Sequence, residues 1–230
     1  MKITVLCSST AHPVYPSLVG WCAFQGDRHQ VALVETVAQA EARGRGDLLF
    51  LISCHEIVPT RLRALYRAAL VIHASDLPRG RGWSPLVWQI LEGRNDIPVT
   101  LLEVADPVDS GVIWHQVWLR FQGHELADEI HAALFAAELS LMDFAVANLE
   151  DVQPRSQTGE VSHYRRRVPE DSRLDPARSL ADQFNLLRVA DPDRYPAFFD
   201  HLGHRYALRV SKIGPVDTLT ADSKAVPHDS

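Results

Sequence analysis

Residues 48–73, LLFLISCHEIVPTRLRALYRAALVIH, read as strand, helix, strand, and that order decides the fold. Leu48–Ser53 is a continuous apolar run behind the turn GRGD, the pattern of a strand covered on both faces. Pro59 suits the first turn of a helix reaching about Ala68, and Leu70–His73 is a second apolar strand. Towards the N-terminus, Ile3–Leu6 and Val31–Val34 read as strands flanking a helix over residues 14–24. Towards the C-terminus, Pro85 opens a helix to about Glu92, and Val99–Val104 and Val112–Leu119 are strands. Residues 124–149 then form a long amphipathic helix with Leu126, Ile130, Leu134, Leu141 and Phe144 among its apolar positions. This alternation predicts an α/β fold with a mostly parallel sheet over residues 1–150.

From residue 151 the pattern changes. QPRSQTGEVSHYRRRVPEDSRLDP (153–176) is polar and charged and reads as an extended excursion. A helix over Leu180–Val189 and a terminal strand, Tyr206–Val210, with a hairpin partner complete a small α+β subdomain over 151–213. Residues 214–230 lack periodicity and read as a frayed tail.

The chain has 230 residues, 46% hydrophobic and 23% charged, which suits a folded domain with a real core and excludes disorder or coiled coil. No apolar run approaches the roughly 20 residues of a membrane span. The start, MKITVLCSST, lacks the features of a signal peptide, so the expected location is the cytoplasm. Cys7, Cys22 and Cys54 are too few and scattered for a disulfide framework, and Cys54 with His55 makes no tetrahedral metal set. Net charge is −6; residues 1–150 carry 11 basic and 17 acidic groups, the remainder 12 of each. That balance opposes nucleic-acid binding but leaves room for small-molecule partners, such as an anionic substrate held by a few arginines. Arg outnumbers Lys 20 to 3, which either supplies forks for phosphate or carboxylate or reflects the source genome's composition.

The densest chemical signal is Val71–Pro85, VIHASDLPRGRGWSP, where an apolar strand ends on His73 and opens into a Gly-rich loop. Ligands of open parallel sheets bind beyond the carboxyl ends of strands. A second loop, EVADPVDSGVIW, carries Asp109 in a turn between two strands. If those strands neighbour the first, His73 and Asp109 meet across one crevice, where a carboxylate stabilises an imidazolium. The first strand ends in CSSTAHP, not in a dinucleotide-binding glycine fingerprint. Ser8, Ser9 and Thr10 are suited either to a diphosphate or to capping a helix. Arg165 and Arg166 are suited to phosphate, with Arg167 in the same run. Tyr195, Phe198 and Phe199 suit packing, with base stacking the second use.

These residues resemble the formyltransferase domain that uses 10-formyltetrahydrofolate. That family includes glycinamide ribonucleotide transformylase, methionyl-tRNA formyltransferase and the sugar N-formyltransferases. His73, Ser75, Leu77, Pro78, Arg81, Gly82, Pro85, Val99, Thr100, Asp109 and Gly111 match its pattern in order and spacing. The resemblance covers about residues 1–150. It implies a Rossmann-like sheet, with His73 and Asp109 as catalytic residues. It places the pterin against Cys54, Glu56 and Ile57 on one side and Ala105 and Val108 on the other, held mainly by backbone. Ser75 and Arg81 fall with the substrate, beside Ser8, Ser9, Thr10, Arg165, Arg166 and Tyr195; no metal is expected.

One departure stands out: the family's catalytic Asn, two residues before the His, is Val71. Its role passes to Ser75, a backbone amide or a water, or activity is low or lost. YRRRVPEDSRLD and RVADPDRYPAFF are similar to the segment that follows the catalytic domain in sugar N-formyltransferases, some of which associate as dimers. CSSTAHPVYP and FLISCHEIVP extend the similarity to the pseudaminic acid group of that family, whose acceptor is UDP-4-amino-4,6-dideoxy-N-acetyl-L-altrosamine. A non-catalytic folate or nucleotide-sugar binder, or a formyltransferase for another amine, is the alternative expectation.

Overall fold

The computed structural model describes residues 1–216. Four parallel strands open it: β1 (Lys2–Leu6), β2 (Gln30–Val34), β3 (Gly46–Leu51) and β4 (Tyr66–His73). β5 (Arg81–Gly82) is a two-residue piece in the loop after β4, and β6 (Asp96–Glu103) and β7 (Ile113–Arg120) extend the main sheet antiparallel. The order is β2-β1-β3-β4-β6-β7. Leu48, Leu49 and Phe50 are buried on alternating faces of the central β3, as its unbroken apolar run requires.

Helices α1 (Tyr15–Gly26), α2 (Val37–Ala42), α3 (Thr60–Arg63) and α4 (Pro85–Leu91) connect the strands. Two readings change here. α2 was not foreseen; it is a short Ala-rich helix whose Thr36 accepts from the Gln39 N–H at 3.2 Å. The helix expected over 59–68 is the single turn α3, and β4 begins at Tyr66. The Ala-rich stretch 64–69 favours helix locally, but pairing of Tyr66, Ala68 and Ala69 with β3 prevails.

α5 (Ala127–Asn148) lies against β6, β7 and α1 and buries Ile130, Leu141, Met142 and Ala145. By length and composition it is the one helix among the described residues that could cross a membrane, which corrects the reading that no apolar run comes close. Here its apolar stripe belongs to the main core.

The polar stretch after α5 is extended, as expected, but it is tied down. Arg155 exchanges backbone hydrogen bonds with Ile113, and β8 (His163–Tyr164) pairs with β5. α6 (Phe184–Arg188) and the hairpin β9 (Ala197–His201) and β10 (His204–Leu208) enclose a small core of Leu174, Leu187 and Ala197. Arg188 is fully buried and donates to Asn95 at 2.7 Å, anchoring this unit to the sheet domain. Of the expected tail, residues 217–230 lie outside the described residues.

Candidate functional site

β4 ends on His73 beside a cavity of about 580 Å³. Its walls are the segment after β3 (Ser53–Val58), the end of β4 (Val71–His73), the loop after β6 (Val104–Asp109), and Arg81–Trp83. β6 runs antiparallel to β4, so its carboxyl end lies beside Leu70 and not beyond His73. The 104–112 loop folds back to bring Asp109 to the imidazole, with Asp109 Oδ1 3.7 Å from His73 Nδ1. Both side chains are buried, at 8% exposure.

Backbone contacts hold the pair. His73 Nε2 lies 2.8 Å from the Gly80 carbonyl, which can only accept, so Nε2 donates to it and the tautomer of a neutral ring has its lone pair on Nδ1, towards Asp109. Asp109 adopts a left-handed φ of 61° and accepts from the Gly82 N–H at 2.9 Å. Gly82 itself needs φ of 100° and leaves no room for a side chain, since a Cβ would stand 2.4 Å from the Tyr164 carbonyl.

The C-terminal excursion braces the same loops. Ser162 accepts from the Gly80 N–H at 2.9 Å. Gln157 donates to the carbonyls of Asp109 and Gly111 at 2.8 and 2.9 Å and accepts from Arg81. Sequence reading missed both braces, because contacts across nearly fifty or more residues leave no local pattern.

A second cavity, about 240 Å³, shares His73 with the first. His12, Ser53, His131, Phe135, Glu138 and Arg194 are among its walls. Burial pushes the Glu138 carboxyl up to about 8, and its Oε2 is buried without a partner among the described residues. Burial pulls His12 down to about 4, reinforced by Arg194, His131 and His55. Glu138 was legible in principle: it interrupts the apolar stripe between Leu134 and Leu141.

The proton on Glu138 has a measurable consequence. The folded protein holds a proton that the unfolded chain, with its ordinary value of 4.5, has released. Stability therefore falls as pH rises from about 4.5 to about 8. Glu138→Gln should be more stable than wild type by an amount that grows across this window, up to about 5 kcal/mol. Urea denaturation at about pH 5 and about pH 8.5 checks it.

The expected site residues divide. Cys54, Glu56, Ile57, Ala105 and Val108 all line the first cavity with His73 and Asp109. Glu56 also caps α2, accepting from the Val37 N–H at 2.9 Å. Arg81, expected on the substrate side, lines this first cavity. Ser8, Ser9 and Thr10 line neither cavity: Ser8 accepts from the His55 N–H and Ser9 from the Ala11 N–H, so both hydroxyls shape loops. Ser75 is buried behind the loop, 1% exposed, and reaches neither cavity. Arg165 pairs with Asp171 and stacks over Trp88, Arg166 lies over the exposed Trp83, and Tyr195 lies on the surface; none lines either cavity.

The architecture is shared with solved structures of low sequence identity. Methionyl-tRNA formyltransferase from Clostridium thermocellum superposes with a TM-score of 0.78 at 18% identity, over 93% of this chain and 94% of that one. A sugar N-formyltransferase from Shewanella gives 0.71 at 17%, over 94% and 99%. HypX from Aquifex aeolicus, in complex with tetrahydrofolic acid, gives 0.75 at 20%, over 91% of this chain and 37% of that one. The Formyl transferase family profile matches residues 22–146, a span that contains His73, Asp109 and the whole wall of the first cavity from Leu51 to Asp109. With more than half of its length matched, the chain belongs to the formyl transferase family.

Proposed function

We propose that the protein moves a formyl group from 10-formyltetrahydrofolate to the amine of a nucleotide-linked amino sugar, UDP-4-amino-4,6-dideoxy-N-acetyl-L-altrosamine. The observation that carries this reading is the placement of His73, which lines both cavities, with Asp109 beside it. The first cavity suits the folate: Ile57 and Val108, exposed at 86% and 69%, stand on separate loops at its walls and offer apolar surface to a flat pterin. The tetrahydrofolic acid complex of HypX supports that assignment. The second cavity takes the amine. Neutral Glu138 can donate to a sugar hydroxyl, and Arg194 is the cation on its wall.

The chemistry follows from the dyad. The neutral amine attacks the formyl carbon and forms the new C–N bond, and the carbonyl electron pair moves to oxygen. The amine proton passes to His73 Nδ1, where Asp109 faces the resulting imidazolium. Collapse of the tetrahedral adduct breaks the bond to N10 of the folate, which leaves with that proton. Nothing is oxidised or reduced.

Length does not separate the acceptor classes, since the methionyl-tRNA formyltransferase match spans nearly all of that chain. Asp128, Asp191 and Asp193, the last paired with Arg209, line a groove that continues past His131 and Phe135, which disfavours a long phosphate backbone more than a single diphosphate. The test is a competition: wild-type enzyme, 10-formyltetrahydrofolate and equal amounts of the UDP amino sugar, methionyl-tRNA and glycinamide ribonucleotide. The reading expects formyl on the sugar; formyl on either of the others alone contradicts it. A second check addresses the folate wall: Ile57→Ser should weaken tetrahydrofolate binding about tenfold by calorimetry, by removing apolar contact.

A further inference from the structure

Val71 lines the first cavity beside His73 and offers no hydrogen-bond donor, so the developing negative charge on the formyl oxygen needs another partner. Of the described residues, three line both cavities: Ser53, Ile72 and His73. The formyl carbon has to be reached from both sides during transfer, and Ile72 is apolar. Ser53 is therefore the one polar side chain besides His73 at the junction.

We propose that the Ser53 hydroxyl, oriented by His12, donates to the formyl oxygen in place of the amide that Val71 lacks. The proposal rests on the reading of the two cavities and of His73 given above.

The contacts around His12 fix where the hydroxyl sits. The Val14 N–H donates to His12 Nδ1 at 3.2 Å, so Nδ1 carries the lone pair and a neutral ring has its proton on Nε2. Ser53 Oγ lies 3.2 Å from His12 Nε2 and 3.4 Å from Nδ1, so the ring holds the hydroxyl at the junction without an N–H in line with it. The Ser53 O–H turns about its own C–O bond, and among the described groups only the His12 ring competes with a formyl oxygen for it. The low proton affinity of His12 keeps the ring neutral near pH 7.

The backbone points the same way. β3 ends at Leu51, and Ser53 takes a left-handed φ of 50°, a conformation that disfavours residues other than Gly, Asn or Asp. Such strain concentrates at functional positions. Ser53 takes part in no proton transfer: the amine proton still passes through His73 to N10. Its O–H shortens onto the oxygen as the carbonyl pair localises there, and relaxes when the adduct collapses.

The experiment compares wild type, Ser53→Ala, Ser53→Ala with Val71→Asn, and His73→Ala, using 10-formyltetrahydrofolate and the UDP amino sugar. Ser53→Ala is expected to lower kcat by about 10²–10³-fold, with tetrahydrofolate affinity by calorimetry within about twofold of wild type. Adding Val71→Asn, which returns a donor from the neighbouring strand, should recover at least about tenfold of that loss. His12→Phe should lower kcat in the same sense with an unchanged KM for the folate. A Ser53→Ala enzyme as fast as wild type overturns the proposal, as does a loss that falls equally on folate affinity. If His73→Ala is also as fast as wild type, or wild type transfers formyl to no amine, the underlying site reading falls with it.

Discussion

His73→Ala should lower kcat for formyl transfer by about 10²–10⁴-fold, the usual worth of a positioned acid–base group, while tetrahydrofolate binding stays within a few fold. The split follows from geometry. The imidazole lines both cavities, and the first keeps its remaining walls when the ring is removed, including the separate loops of Ile57 and Val108. What disappears is the ring nitrogen 3.7 Å from Asp109 that is proposed to receive the amine proton. Asp109→Asn is the milder companion. It leaves a side chain of the same shape beside the ring but removes the charge that faces the imidazolium, so it should lower kcat without dismantling the loop. Steady-state kinetics with calorimetry of tetrahydrofolate separates the two effects. Equal loss of binding and turnover in His73→Ala would mean that the ring is structural.

Gly111→Ala should be the most destabilising single methyl addition in the sheet domain. A Cβ at residue 111 would stand 1.8 Å from the Glu103 carbonyl oxygen and 2.7 Å from its carbon. Both are backbone atoms of β6, so no rotamer change relieves the overlap. The turn carrying Asp109 has to open, or β6 and β7 have to separate at their Leu102–Ile113 pairing. A loss of about 3 kcal/mol or more is expected, seen as a fall in Tm of roughly 10 °C. Because the same turn presents Asp109, activity should fall further than stability alone accounts for. A variant with wild-type Tm and wild-type turnover would contradict the described loop.

The parts of the site legible in the sequence are those written in consecutive residues. His73 could be found because an apolar strand stops on it and a loop of Gly and Pro follows. Asp109 could be paired with it once their strands were assumed to be neighbours, and β4 does pair with β6. The antiparallel direction of β6 was not legible, since local sequence sets strand length and apolarity but not which way a neighbour runs. Ser53 and His12 escaped notice because each is unremarkable alone; they acquire a role only when β3 and the loop before α1 meet at one strand edge. The phosphate role expected of Arg165 meets a competitor that the run alone did not show. The run of arginines was visible, but the competing Asp171 six residues on already holds the guanidinium. Helix content near Ala68 was overestimated for a related reason, because propensity there is outweighed by pairing with β3.

The most direct test of the account follows the formyl carbon itself. Wild-type enzyme is given 10-formyltetrahydrofolate labelled with carbon-13 in the formyl group, together with the UDP amino sugar, and the label is followed by NMR. The account predicts that the label appears as a formamide carbon coupled to the sugar nitrogen, with tetrahydrofolate released in equal amount, and that His73→Ala leaves it on the folate. Label that stays on the folate with wild-type enzyme, or is released only as free formate, would contradict transfer between the two cavities.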